Sequence, residues 1–125
     1  MARGRRRALA GLGAAASLVA LWRPVRRVEV KGDSMVPTLH DGDRLLALRL
    51  GRPHRGDLVV LSDPRQPSRL VVKRVVSVHG HMLSVAGDNP EHSTDSRTYG
   101  PVPVHSVLGR VVRRYGPPER AGRVH

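Results

Sequence analysis

Two side chains 39 positions apart, Ser34 and Lys73, have the chemistry of a nucleophile and its base. Ser34 lies in Gly32-Asp33-Ser34-Met35-Val36-Pro37-Thr38-Leu39, and Lys73 in Leu70-Val71-Val72-Lys73-Arg74-Val75-Val76. A serine hydroxyl is a weak nucleophile near neutral pH and needs a positioned base to take its proton. Of the 22 basic residues only Lys31 and Lys73 are lysines. Arginine keeps its proton, whereas a desolvated lysine amine can accept one. Lowering a lysine pKa by about three units, from about 10.4 to a useful 7–8, costs the charged form about 4 kcal/mol. Burial among Val71, Val72, Val75 and Val76 supplies such a penalty.

A third segment is Gly87-Asp88-Asn89-Pro90-Glu91-His92-Ser93-Thr94-Asp95-Ser96-Arg97. A buried amine needs hydrogen-bond partners even when neutral, and a serine or main-chain carbonyl here would orient it. Each piece alone also has a plain structural role. Ser34 reads as the cap of the turn that follows it. Lys73 reads as a lysine snorkelling from a sheet edge. The polar loop reads as an Asx-type turn with an Asp95–Arg97 surface pair.

These pieces need a scaffold, and 125 residues provide one modest core. With no Cys, disulfides, thiol catalysis and thiolate metal sites are excluded. With no Phe and one Trp, the core must come from Val, Leu and Ala. β-branched runs at 58–61, 70–78 and 102–112 predict strands. Further strands are expected at Val28–Lys31, Leu45–Leu50 and Met82–Ala86, with a turn at His79-Gly80-His81. Residues 62–68, with two prolines, are expected to form a loop, and residues 87–101 to be irregular. Val102–Val112 is expected to be one strand with a bulge at Gly109. The expected fold is all-β, mainly antiparallel and barrel- or sandwich-like. In a strand, Lys73 shares a face with Val71 and Val75, and Arg74 points the other way.

The ends read differently. Residues 1–27 carry seven of the arginines and no acid, leaving +5 of the +12 formal charge for the remainder. Without a run of aromatics to stack on bases, nucleic acid is not the expected partner; an anionic membrane surface is. Ala8 to Trp22 is uncharged, and as a helix it reaches roughly 22 Å against a hydrocarbon core of about 30 Å. It reads as a short anchor helix aided by snorkelling arginines and Trp22, as an interfacial helix, or as a signal-like segment. The expected organisation is a basic leader with a hydrophobic helix over 1–27, a catalytic domain over 28–115 and a frayed tail over 116–125.

In order and spacing, GDSMVPTL, VVKRVV and GDNPEHSTDSR-TYGPVP resemble the signal peptidase I family of Ser/Lys proteases over residues 28–112. The resemblance implies Ser34 as nucleophile and Lys73 as general base. It also implies Ser93 on the lysine amine, with Asp95 and Arg97 bracing the loop. Val30, Met35, Leu39 and Val72 map to the family's pocket for small side chains, and neither metal nor other cofactor is implied. The expected substrate is a protein precursor with an N-terminal presequence, cut near a membrane. Some family members carry a hydroxyl two residues before the nucleophile; Gly32 stands there, so an oxyanion would rest on main-chain amides, chiefly that of Ser34. The length matches the short forms, the mitochondrial inner-membrane peptidases and the maturation proteases of nickel-type superoxide dismutase. The GDNP…DSR…GPVP ending is most similar to the latter.

Rival patterns are incomplete. A self-cleaving repressor shares the Gly-x-Ser-Met turn, but its DNA-binding module has no counterpart in the basic leader. His40 or His92 would serve a Ser-His-acid set, yet Val36 replaces the second glycine of a nucleophile elbow. His79, His81 and His92 lack a supporting carboxylate pattern for a metal. A non-catalytic membrane-surface adaptor would keep the leader without needing Ser34 and Lys73 together.

Overall fold

The computed structural model describes residues 25–49 and 51–124. The expected N-terminal helix therefore lies outside the described residues. No helix among those described is long and apolar enough to cross a membrane. The strands are β1 (Val25–Glu29), β2 (Arg44–Leu48), β3 (Leu58–Asp63), β4 (Gln66–His79), β5 (Met82–Ala86), β6 (Val102–Pro103) and β7 (Val107–Gly116). One short helix, α1 (Ser96–Tyr99), and single 3-10 turns at Pro90–His92, Val104–Ser106 and Pro118–Arg120 complete the described residues.

All strand pairings are antiparallel, in the order β1-β2-β7-β3-β4-β5-β6. The continuous apolar run Leu58–Leu61 makes β3 central and buried on both faces. Leu58 and Val60 enter one core cluster, Val59 and Leu61 the other. The first cluster also holds Val28 and Val30 from around β1 and Val72 from β4. Three hydrogen-bonded steps separate β1 from β3, so a flat sheet would hold them about 14 Å apart. Sharing a core therefore requires the sheet to curl over itself. Register shifts in β2–β7, between Arg44 and Leu45 and between Leu46 and Ala47, supply local bends of the kind that bulges give. The expectation of an all-β, mainly antiparallel fold holds.

Several local expectations change. Residues 62–68 are the end of a hairpin rather than a loop: Asp63 pairs with Gln66, and its carboxylate accepts the Arg65 N–H at 2.9 Å. Pro67 falls where the β3–β4 register shifts, which is where a strand tolerates a residue without a donor. The first strand starts at Val25, and the second stops at Leu48. The expected strand over 102–112 is cut after Pro103, where Ser106 Oγ donates to the Pro103 carbonyl at 2.6 Å and closes a turn. The chain thereby leaves the sheet edge for its interior, and the register shift in β7 places the extra residue, Leu108, beside Gly109. The ending expected to fray instead folds back. Arg114 and Gly122 exchange two backbone hydrogen bonds of 2.9 Å, and Val124 packs on the first core cluster.

Candidate active site

Lys73 sits in the middle of β4 opposite Val59 of the central strand, with only 3% of its surface exposed. Alternation along β4 puts it on the face of Val71 and Val75. Burial holds its amine below the ordinary lysine range, an effect opposed by Asp95 and Asp63 and reinforced by Arg69 and Arg97. Its Nζ donates to Ser93 Oγ at 3.0 Å.

The loop that presents Ser93 is organised around one buried carboxylate. Asp95 Oδ2 accepts from the Ser93 hydroxyl at 3.2 Å and from the Gly87 N–H at 3.1 Å. Arg97 adds its Nη2 at 2.8 Å on Oδ2, and its Nε at 2.9 Å and backbone N–H at 3.1 Å on Oδ1. Burial by itself would raise the Asp95 pKa, but these donors outweigh it and hold the carboxyl well below the usual range. A hydroxyl has one proton. Because Ser93 gives its proton to Asp95, it can only accept from Lys73. In its neutral form, the amine then spends an N–H on Ser93 and keeps its lone pair free.

Ser34 is placed by a turn that makes few bonds of its own, Val36 N–H to Asp33 O at 3.2 Å and Leu39 N–H to Met35 O at 2.9 Å. The loop after β5 grips it. Asn89 donates its N–H to the Ser34 carbonyl at 2.9 Å and its Nδ2 to the Asp33 carbonyl at 3.0 Å. Asp88 gives its N–H to Met35 Sδ at 3.4 Å and accepts the Thr38 hydroxyl at 2.5 Å. Arg74 holds the same Asp88 carboxylate through Nε at 2.9 Å and Nη2 at 2.8 Å. Gly32, two residues before Ser34, has φ 82° and donates its N–H to Asp41 Oδ1 at 2.7 Å.

Ser34 and Lys73 line one cleft of about 200 Å³. Gly32, Val30, Met35 and Val72 line it as well, whereas Leu39 is sealed in the core with no exposed surface. Ser93, Asp95 and Arg97 are not in the wall: Ser93 meets the Lys73 amine, and Asp95 and Arg97 act behind it. Sequence reasoning had not assigned Asp63, Arg69 or Thr94 to the cleft they line. His92 lines it too, but with an exposed side chain, and His40 does not. Sequence reasoning also missed Gly87. A Cβ there would lie 2.6 Å from the Ser34 carbonyl oxygen and closer still to Ser93 Oγ. Only glycine lets the two serine-bearing segments approach this closely.

The model of the signal peptidase, peptidase S26 family matches residues 5–86 and 77–115. The chain is 38% identical over 113 residues to the mitochondrial ATP-independent inner membrane protease subunit 1b of Arabidopsis thaliana, covering 69% of this chain and 67% of that one. It is 35% identical over 115 residues to mitochondrial inner membrane protease subunit 1 of Xenopus tropicalis, covering 73% and 69%. With subunit 2 from Schizosaccharomyces pombe it shares 31% over 141 aligned positions, covering 85% and 78%. The chain belongs to the signal peptidase, peptidase S26 family.

Proposed function

We propose that this chain is a serine endopeptidase that removes N-terminal presequences or propeptides from protein precursors at a membrane, with Ser34 as nucleophile and Lys73 as general base. The observation that carries this reading is the shared cleft, in which Ser34 stands with a buried lysine whose amine is oriented by Ser93. The relatives named inner membrane proteases, and the arginine-flanked stretch 8–22, support the membrane setting.

In the proposed reaction, Lys73 Nζ takes the Ser34 hydroxyl proton while Oγ forms a bond to the scissile carbonyl carbon. The negative charge that develops on the carbonyl oxygen meets main-chain amides, chiefly that of Ser34. Gly32 brings no hydroxyl, and its own N–H is engaged by Asp41. Collapse of the intermediate breaks the C–N bond, and Lys73 returns the proton to the departing amine. Water, deprotonated by Lys73, then attacks the acyl-serine ester and releases the carboxylate and Ser34.

For the substrate, the GDNP…DSR…GPVP segment, which resembles that of the maturation proteases of nickel-type superoxide dismutase, supports the precursor of that dismutase, whose new N-terminus would bind nickel. The relatives favour a second reading, general presequence removal. Incubating the purified chain with each precursor and sequencing the new N-termini decides between them. The endopeptidase reading predicts a single cut after small residues that disappears in Ser34→Ala and in Lys73→Ala. Cleavage that survives either substitution removes the Ser/Lys mechanism.

A further inference from the structure

The end of the chain is linked to the turn that carries Ser34 by contacts separate from those of the loop after β5. Its anchor is Asp43, which has no exposed surface. The Asp43 carboxylate accepts from Arg114 Nη1 at 2.9 Å, from Arg120 Nε at 2.8 Å and Nη2 at 2.6 Å, and from the His40 N–H at 2.9 Å. Burial alone would raise its pKa, but these donors hold it below the usual carboxylate range. Arg114 Nη1 also donates to the Thr38 carbonyl at 3.2 Å, and its Nε to the Arg120 carbonyl at 2.5 Å. Two arginines, 71 and 77 positions beyond Asp43, thus converge on the carboxylate that accepts the His40 N–H, and Arg114 also holds the Thr38 carbonyl.

We propose that residues 117–124 form a positioning clamp for the nucleophile turn, with Arg120 as its latch acting through Asp43 and Arg114. The proposal rests on reading Ser34 as the nucleophile. A single turn with two internal hydrogen bonds does not hold its own shape, so that shape is imposed from outside. On one side Asp88 and Asn89 hold Asp33, Ser34, Met35 and Thr38; on the other Asp43 and Arg114 hold Thr38 and His40. Releasing the second side lets the turn pivot about the first, and a displacement of about 1 Å at a nucleophile lowers turnover by up to roughly a hundredfold. Arg120 does not line the cleft, so it is a positioning residue and not a catalytic one.

The test uses the full chain carrying Arg120→Ala, with Arg120→Lys as the conservative variant. Hydrogen exchange is followed on peptides covering 33–43 and on peptides from β3 and β4. Kinetics are followed on a precursor peptide that the unsubstituted chain cleaves. The clamp predicts exchange at 33–43 faster by roughly tenfold or more, with β3 and β4 unchanged. It also predicts kcat lower by roughly tenfold or more with KM little changed, and partial recovery of both in Arg120→Lys. Wild-type exchange at 33–43 overturns the proposal. So does faster exchange there with kcat intact, which would make the segment a structural cap alone. If Arg120→Ala unfolds, Arg120→Lys carries the comparison, and a uniform loss of protection across all peptides overturns the clamp. If the unsubstituted chain cleaves nothing, the function proposed above fails while the exchange comparison still tests the contact network.

Discussion

Lys73 and Arg74, consecutive in β4, hold the same loop from opposite faces of the strand. Lys73 Nζ reaches Ser93 at 3.0 Å, and Arg74 reaches the Asp88 carboxylate at 2.8 and 2.9 Å. The β4–β5 ladder reaches only to the Arg74–Ala86 pair, so beyond it the chain at 87–95 is free to straddle β4 at this point. Through Asp88 and Asn89 the same loop holds the turn of Ser34. One segment therefore sets the distance between the two halves of the proposed dyad.

Gly87 is the narrowest point of that arrangement, and Gly87→Ala tests it. The added methyl would press on the Ser34 carbonyl and on Ser93 Oγ together, so one of the two segments must shift. Overpacking of this kind costs typically about 1–3 kcal/mol of stability. The loss of turnover is expected to exceed it, at roughly a hundredfold, because the displaced segments carry the proposed nucleophile and the partner of its proposed base. Thermal melts and cleavage assays on one preparation check this. A variant that melts lower yet turns over normally contradicts the tight approach.

The pH dependence of cleavage follows from the buried amine. Burial lowers the Lys73 pKa, and only the neutral amine can take the serine proton, so the rate must rise with pH through that lowered value. The half-maximal point of kcat/KM is expected well below about 10.4, the value for a free lysine. Asp95 opposes the depression, so Asp95→Asn should move the half-maximal point further down. A profile that rises only near pH 10 would contradict a depressed lysine.

Legibility from sequence divides along the range of the contacts. Strand alternation puts Lys73 and Arg74 on opposite faces, and the family resemblance implies Ser93 on the lysine amine. The pairs that fix the turn were not legible. Thr38 meets Asp88 across 50 positions and Arg120 meets Asp43 across 77, and nothing in local pattern links them. Pro117-Pro118 and the polar residues after them look like a loose tail until the buried carboxylate they cover is seen. Leu39, which the resemblance maps to a substrate pocket, shows the converse: its side chain is sealed in the core.

The same burial that tunes Lys73 opposes folding. Its folded-state pKa lies below the unfolded one, so between the two values the unfolded chain binds more protons and stability rises with pH. Below the folded value the amine is charged in both states, and the folded state bears the whole desolvation penalty. Lys73→Met should therefore abolish cleavage while raising stability by about 1 kcal/mol or more at neutral pH, a few degrees in Tm. The gain should shrink as pH rises toward about 10.4 and be smallest above it, where both states are neutral. Equal or lower stability of Lys73→Met at pH 7 would show that the charged amine is already well solvated or paired.

Asp95 carries the opposite sign. Its folded pKa lies below the unfolded value of about 3.9, so its contribution is fully present above that value and is lost as pH falls through the folded one. Asp95→Ala removes the acceptor of the Gly87 N–H and the Ser93 hydroxyl together. Leaving such a buried donor unpaired costs about 1–3 kcal/mol. The Arg97 side chain, more than half exposed, simply turns to solvent and adds little. The variant should thus be less stable at neutral pH and should lose less on acidification than the unsubstituted chain. Its Ser93 hydroxyl, no longer committed, can also donate to Lys73 and occupy the lone pair, so turnover should fall more than in Ser93→Ala. Urea titrations at pH 7 and near pH 3 test the first expectation, and paired cleavage rates test the second. If Ser93→Ala proves the slower of the two, orientation of the Ser93 proton by Asp95 is not what keeps the lysine available.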